Sequence, residues 1–137
     1  MNQQTQTGTV RRNLDSGSSW EASIGYSRAV VVGNMVFTSA TAASGIDGKL
    51  LGIGDMYQQT RVILEKLGAV LQAAGASYRD VVQSKLYLTD ISLWREAGRA
   101  HGEVFGDIRP ALTMLHVKPF LDPDMLLEIE LVAIRTG

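Results

Sequence analysis

The stretch "LLEIELVAI", residues 126–134, constrains this chain more than any other. Its β-branched and aliphatic residues recur with a period of two, so it reads as a strand whose side chains alternate between two faces. Leu127, Ile129, Leu131 and Ala133 form one face, wholly apolar. Leu126, Glu128, Glu130, Val132 and Ile134 form the other, with two carboxylates among aliphatic side chains. A solvated face is polar throughout, and a core face carries no acid. A mixed face implies a surface covered in part, by a second subunit or by a ligand.

The rest of the chain supplies what this strand packs against. "TVRRNL" (9–14) reads as a short first strand and "DSGSSWEASIG" (15–25) as a Ser/Gly-rich loop in which Trp20 and Ile24 are expected to be anchored. Two β-branched runs flank Gly33-Asn34, a hairpin turn signal. Asp47-Gly48 marks another turn. Asp55 caps a helix on which Ile63, Leu67, Val70, Leu71 and Ala74 recur at helical spacing, and Gly75 closes it. A strand follows at about 81–89, with Val82, Ser84, Leu86 and Leu88 facing the core and Val81, Gln83, Lys85 and Tyr87 facing outward. Asp90 or Ser92 caps a second helix whose apolar side holds Leu93, Trp94, Ala97, His101, Val104 and Phe105; Gly106 ends it and Pro110 prevents its continuation. "ALTMLHV" (111–117) is a strand. Two helices cover only one face of a five- or six-stranded mixed sheet, so the expected architecture is a single α+β domain over residues 1–137, a two-layer sandwich with residues 1–8 flexible.

Composition narrows the chemistry. The chain has no cysteine, which excludes disulfides, thiolate metal sites and a Cys nucleophile. A net charge of −1 with scattered Lys and Arg argues against a nucleic-acid surface. The polar start "MNQQTQTGTV" has no apolar leader pattern, and no run approaches the length of a membrane span. These features point to a cytoplasmic domain. No Walker, G-x-S-x-G or H-E-x-x-H motif occurs, and "GIG" (52–54) reads as a turn. With two histidines, His101 on a helix and His116 on a strand, a metal site is not expected. Thr38, Ser39 and Thr41 end a strand, where hydroxyls usually satisfy backbone groups. Glu128 is the stronger candidate: a structural acid paired with Arg or Lys, a general acid/base, or a carboxylate that holds water. Glu130 reads as an intersubunit ion-pair or rim residue.

Four segments carry a resemblance: "IGYSRAVVVGNMVFTSA", "TRVILEKLGAVLQAAGAS" with the following "DVVQSKLYLTDI", "FGDIRPALTM" and "LLEIELVAI". Together they resemble the Rid (reactive intermediate deaminase, YjgF-like) family, from about residue 24 to 134. The resemblance implies a chorismate mutase-like fold and a homotrimer with a barrel-like core and small-molecule clefts between subunits, one of which Glu128 reaches. In the deaminating branch such clefts hydrolyse 2-imino acids without metal or cofactor, and an arginine after "PA" grips the substrate carboxylate. A guanidinium fork suits that task. Here the position after Pro110-Ala111 is Leu112, which cannot bind a carboxylate. Arg109 lies three residues away across Pro110, where an extended chain aims it at the opposite face; Arg28 and Lys85 are the other available cations. Ala40 stands where the family has glycine, Met114 where a Cys or small residue is frequent, and Gly98 and His101 where some deaminating members have Asn and Tyr. Tyr26, Ser39 and Glu128 match. The implied site has Glu128 as acid/base or water holder, Tyr26 and Ser39 orienting, and Ala40, Leu112, Met114, His101 and Trp94 shaping a more apolar pocket for a small-molecule metabolite. Three functions follow in order: cofactor-free hydrolysis of an imine or enamine other than the usual 2-imino acids, non-catalytic small-molecule binding, and an RNA-directed endoribonuclease or translation inhibitor.

Overall fold

The computed structural model describes residues 10–136, so the flexibility expected of residues 1–8 lies outside the described residues. Six strands form one mixed sheet in the order β1-β2-β3-β6-β4-β5. They are β1 (Arg11–Leu14), β2 (Ala29–Val32), β3 (Met35–Thr38), β4 (Val81–Leu88), β5 (Ala111–His116) and β6 (Leu127–Ile134). The helices are α1 (Ser19–Ile24), α2 (Met56–Ala73) and α3 (Trp94–Phe105). All neighbouring strands are antiparallel except β4 and β5, whose parallel pairing requires the crossover that α3 supplies.

The β6 alternation is realised. Leu127, Ile129, Leu131 and Ala133 are fully buried and join Ile63, Leu64, Leu67 and Leu71 of α2 and Ala97 and Phe105 of α3 in one core. Both long helices therefore lie on one sheet face. On the opposite face Phe37, Leu115 and Ile134 stay exposed, while Glu128 and Glu130 are half-buried. Tyr87 of β4 donates its hydroxyl hydrogen to Glu130, and this bond leads the causes that push the phenol up to about 12. Glu130 thus has an intrachain partner.

The turn and cap chemistry follows the residues that specify it. Asp55 accepts from the Gln58 amide at 3.0 Å and starts α2. Gly33 turns the β2–β3 hairpin at φ +60°. Asp90 caps a short 3-10 turn, Ile91–Leu93, that feeds α3, so the helix itself begins at Trp94.

Three features differ from the sequence expectation. Residues 19–24 are not loop but helix α1, capped by Ser18; Trp20 and Ile24 are exposed, and Glu21 is the buried residue. The chain satisfies a charge there rather than anchoring two apolar side chains. In β4 the pairing with β6 shifts between Val81 and Gln83, and this bulge turns Val81 into the core and leaves Val82 44% exposed, the reverse of simple alternation. α3 ends at Phe105 with Gly106 as its cap, as expected, but beyond it Arg109 is left-handed at φ +58° and exposed. Arg109 is therefore not on an extended chain aimed through the sheet.

Gly68, in the middle of α2, makes room for the Tyr78 ring. A Cβ there would meet the Tyr78 hydroxyl oxygen at 2.3 Å. That hydroxyl donates to Leu64 O at 2.6 Å, and the ring packs edge-on against Phe105. At an open helical position Gly→Ala stabilises by about 1 kcal/mol. Gly68→Ala is expected to do the opposite, lowering the urea midpoint by displacing Tyr78; a raised midpoint shows that Tyr78 yields without cost.

Candidate functional site

Arg28, just before β2, is the hub of a polar cluster. Its Nε and Nη2 donate to Glu21 Oε2 at 3.3 and 3.2 Å, and Nη1 donates to Ala40 O and Thr41 Oγ1, each at 3.1 Å. Nη2 also reaches the Tyr26 hydroxyl at 3.4 Å, and the guanidinium carbon lies 5.5 Å from the centre of the Tyr26 ring. Glu21 is fixed in turn by the Ser16 amide and hydroxyl. Burial pushes the Glu21 carboxyl up, but the Ser16 bonds and Arg28 outweigh it and hold the group below the ordinary carboxylate range. The guanidinium is thus committed within its own chain.

The segment after β3 crosses this cluster. Where the β3–β6 ladder stops, Thr38 Oγ1 accepts from Leu131 N at 2.9 Å, Thr41 re-pairs with Ile129, and the Thr41 hydroxyl donates to Ser39 O at 2.9 Å. Ser39 Oγ donates to Ser27 O at 2.6 Å. These hydroxyls serve the backbone, the ordinary use of Ser and Thr at a strand end. Lys66 of α2 holds the same segment from the helix side, donating to Ala42 O at 2.7 Å and Ser44 Oγ at 2.9 Å.

Glu128 stands beside Ile129, the partner of Thr41. It is half-buried, and among the described residues none donates a hydrogen bond to its carboxylate. Burial raises its pKa, against the opposing charges of Arg28 and Lys66. Tyr26, Arg28, Ser39, Ala40 and Glu128 thus belong to one neighbourhood, joined by Lys66, which the sequence reading missed. The only signal in the sequence was a Lys on α2 one position before the core residue Leu67.

The other predicted residues lie elsewhere. Leu112 and Met114 sit on the edge strand β5, in register with Ser84 and Leu86. Ser84 and Leu86 are buried on the helix side, whereas Glu128 pairs with Tyr87 on the opposite face. Leu112 is 44% exposed and Trp94 is 46% exposed. Met114 reaches toward Gly98 of α3. His101 is buried, its Nε2 2.8 Å from Ser84 Oγ and its ring 4.7 Å from that of Phe105; burial lowers its pKa. Lys85 sits on the outer face between Glu130 and Thr113. A single chain therefore presents two separate groups, one at β2/β3/β6 and one at β5/α3. Two surface concavities, of about 180 and 290 Å³, are lined by other residues, except that Arg28 and Ser16 of the polar cluster border the smaller. Among the described residues no cluster of His, Asp or Glu could hold a metal, and no helix is long and apolar enough to cross a membrane.

Comparison with known proteins comes from three directions. The family model described as "Endoribonuclease L-PSP" matches residues 17–135. A crystal structure of a member of the YjgF/YER057c/UK114 family from Mycobacterium tuberculosis superposes with a TM-score of 0.83 at 40% identity, covering 92% of this chain and 100% of that one. An uncharacterised protein of Streptomyces coelicolor is 35% identical over 94% of this chain and 96% of its own length. The 3-aminoacrylate deaminase RutC of Acinetobacter baylyi is 31% identical over 79% of this chain and 85% of its own.

The unmatched Glu128 carboxylate makes a prediction with a definite sign. A carboxyl whose folded pKa is raised costs stability as pH rises from the unfolded value, 4.5, through the folded one, and the cost persists above it. Glu128→Gln is expected to raise the thermal midpoint at pH 7, with the gain vanishing below pH 4. A loss of stability at pH 7 shows instead that Glu128 is a structural ion-pair partner. Glu21→Ala is expected to cost about 3 kcal/mol in urea unfolding at pH 7 by leaving Arg28 unpaired, and less as pH falls through the lowered Glu21 pKa.

Proposed function

The chain belongs to the endoribonuclease L-PSP (YjgF) family, and on that premise we propose that it is a cofactor-free hydrolase of reactive C=N compounds, an imine or enamine that lacks the usual carboxylate, acting in clefts between the subunits of a homotrimer. The observation that carries this reading is Glu128: a half-buried carboxylate with a raised pKa on the mixed face of β6 and no donor from the described residues. Such a group handles protons at neutral pH.

In the proposed reaction Glu128 takes a proton from water as its oxygen adds to the imine carbon. The proton is returned to nitrogen to give a carbinolamine; its hydroxyl proton then passes by way of Glu128 to the amino group as the C–N bond breaks, and a carbonyl compound and ammonia leave. An enamine first takes up a proton at carbon to become the imine. Tyr26 and the Ser39–Thr41 segment form the wall that orients the substrate. Leu112, Met114 and Trp94 of the neighbouring subunit form the apolar wall opposite. The separation of these two groups in one chain supports a site completed by a second copy, and the mixed outer face, with Phe37, Leu115 and Ile134 exposed, supports its burial on assembly.

Substrate choice follows from the cations. Arg28 is already engaged by Glu21, Ala40, Thr41 and Tyr26, and Leu112 offers no charge, so neither position presents a free guanidinium fork to a carboxylate. The RutC relative's deaminase name supports C=N chemistry for the family, and the leucine supports a different substrate. The alternative, a non-catalytic binding protein, draws on the same exposed Leu112 and Trp94. The net charge of −1 gives an RNA-directed reading no electrostatic support.

The test generates imines in situ, from amines with an amine oxidase and from amino acids with an amino acid oxidase, and traps survivors with semicarbazide. The protein is expected to hasten loss of carboxylate-free imines and to leave 2-imino acids at the background rate. Glu128→Gln is expected to cut the former by about 10²–10⁴-fold with the trimer mass unchanged by light scattering. Leu112→Arg is expected to confer 2-imino acid hydrolysis. Efficient hydrolysis of 2-imino acids by the unaltered protein overturns the substrate assignment; no turnover of either class with ligand binding retained favours the binding protein.

A further inference from the structure

Lys66 is a half-buried cation that the reaction above does not use. Its ammonium spends two hydrogen bonds on neutral groups, Ala42 O at 2.7 Å and Ser44 Oγ at 2.9 Å. Among the described residues no carboxylate lies within ion-pair distance of it. This is unusual for a lysine removed from water, because desolvation opposes its charge. Burial does lower its pKa, Arg28 adds to that effect, and Glu128 alone raises it.

The neighbouring charges form an unequal set. Arg28 is matched at 3.2 Å by Glu21, whose side chain is almost fully buried, so that pair is internally compensated. The Tyr26 hydroxyl oxygen accepts from Arg28 Nη2 at 3.4 Å. Of this set, two charges have no contact partner of opposite sign among the described residues, Lys66 on α2 and Glu128 on β6, and each acts on the other. Between them runs the segment 39–44. Arg28 fixes its Ala40 carbonyl and Lys66 its Ala42 carbonyl, while Thr41 pairs with Ile129 next to Glu128. Lys66 is thus mechanically linked to the strand that carries Glu128 as well as electrically coupled to it.

We propose that Lys66 is a positioning residue of the site: its ammonium braces the Ser39–Ser44 segment against α2 and supplies a counter-charge for Glu128. The inference deepens the reading of Glu128 as the proton-handling group and rests on it. Burial pushes the Glu128 carboxyl up, Arg28 is the larger of the two charges opposing that, and Lys66 adds to Arg28. With Lys66 in place the carboxylate stays available as a base and the wall that orients the substrate keeps its shape. Without the charge, Glu128 holds its proton to higher pH and is lost as a base there.

The test uses the full chain and needs no substrate. The Glu128 carboxyl is titrated by carbon-13 NMR in the unaltered protein and in Lys66→Gln, Lys66→Met and Lys66→Arg. Lys66→Gln keeps donors for Ala42 O without the charge, so it separates brace from counter-charge and remains informative if Lys66→Met fails to fold. The Glu128 midpoint is expected to move upward in Lys66→Gln and Lys66→Met and to stay in place in Lys66→Arg. Amide hydrogen exchange across 40–44 is expected to quicken in Lys66→Met more than in Lys66→Gln. Where C=N hydrolysis is present, the acid limb of kcat/KM against pH moves upward with the titration midpoint. An unmoved Glu128 midpoint in Lys66→Gln overturns the counter-charge, and unchanged exchange in Lys66→Met overturns the brace. If no imine is hydrolysed at all, the hydrolase reading fails while the titration still decides the role of Lys66.

Discussion

The structure depends on one strand having two incompatible faces. β6 lies third from the β5 edge, between β3 and β4. Its inner side chains fill the core beneath α2 and α3, and its outer side chains include two carboxylates that the core could not tolerate. Because side-chain direction has a period of two, a register slip by one residue would exchange these faces, so the pairing with β3 and β4 is strongly specified. That register also sets Tyr87 opposite Glu128 and within reach of Glu130. The buried interior and the mixed outer face are thus fixed by the same hydrogen-bond ladder.

Around that strand the chain spends polar interactions unevenly. Glu21, Tyr26, Ala40 and Thr41 engage Arg28, and Ser16 fixes Glu21, while among the described residues Glu128 receives no comparable support. One carboxyl is therefore held below its ordinary range and the other above it, within one neighbourhood. Separation of this kind gives two acids different tasks. Glu21 keeps a cation in place, and Glu128 has no donor among the described residues. A carboxyl whose pKa burial raises is a local cost to folding at neutral pH.

Much of the fold was legible because its signals are local. The Asp55 cap, the turn at Gly33-Asn34, the helical spacing from Ile63 to Ala74 and the β6 alternation each depend on residues close in sequence. The misread elements depend on distant partners. Residues 19–24 look like loop because Ser and Gly dominate their approach, yet Glu21 finds Arg28 and Ser16 and the helix forms around that contact. The β4 bulge is invisible in "DVVQSK" because two adjacent valines fit either face, and only the ladder with β6 selects Val81. The site was legible as a list of residue types. Its division into two groups was not, because Leu112 and Glu128 follow strands of similar pattern and their opposite faces emerge only from the β6–β4–β5 register.

The sequence by itself determined the α+β class, the apolar face of β6, a leucine rather than a cation at position 112 and the presence of an acid at Glu128, since each is a matter of residue identity and short-range period. Tertiary structure alone decided that Arg28 is committed to Glu21, that His101 is buried against Ser84, and that Lys66 reaches Ala42. Those three facts join residues 7, 17 and 24 positions apart. A chain can encode such contacts, but they become visible only once the folded backbone has brought their ends together and excluded water from between them.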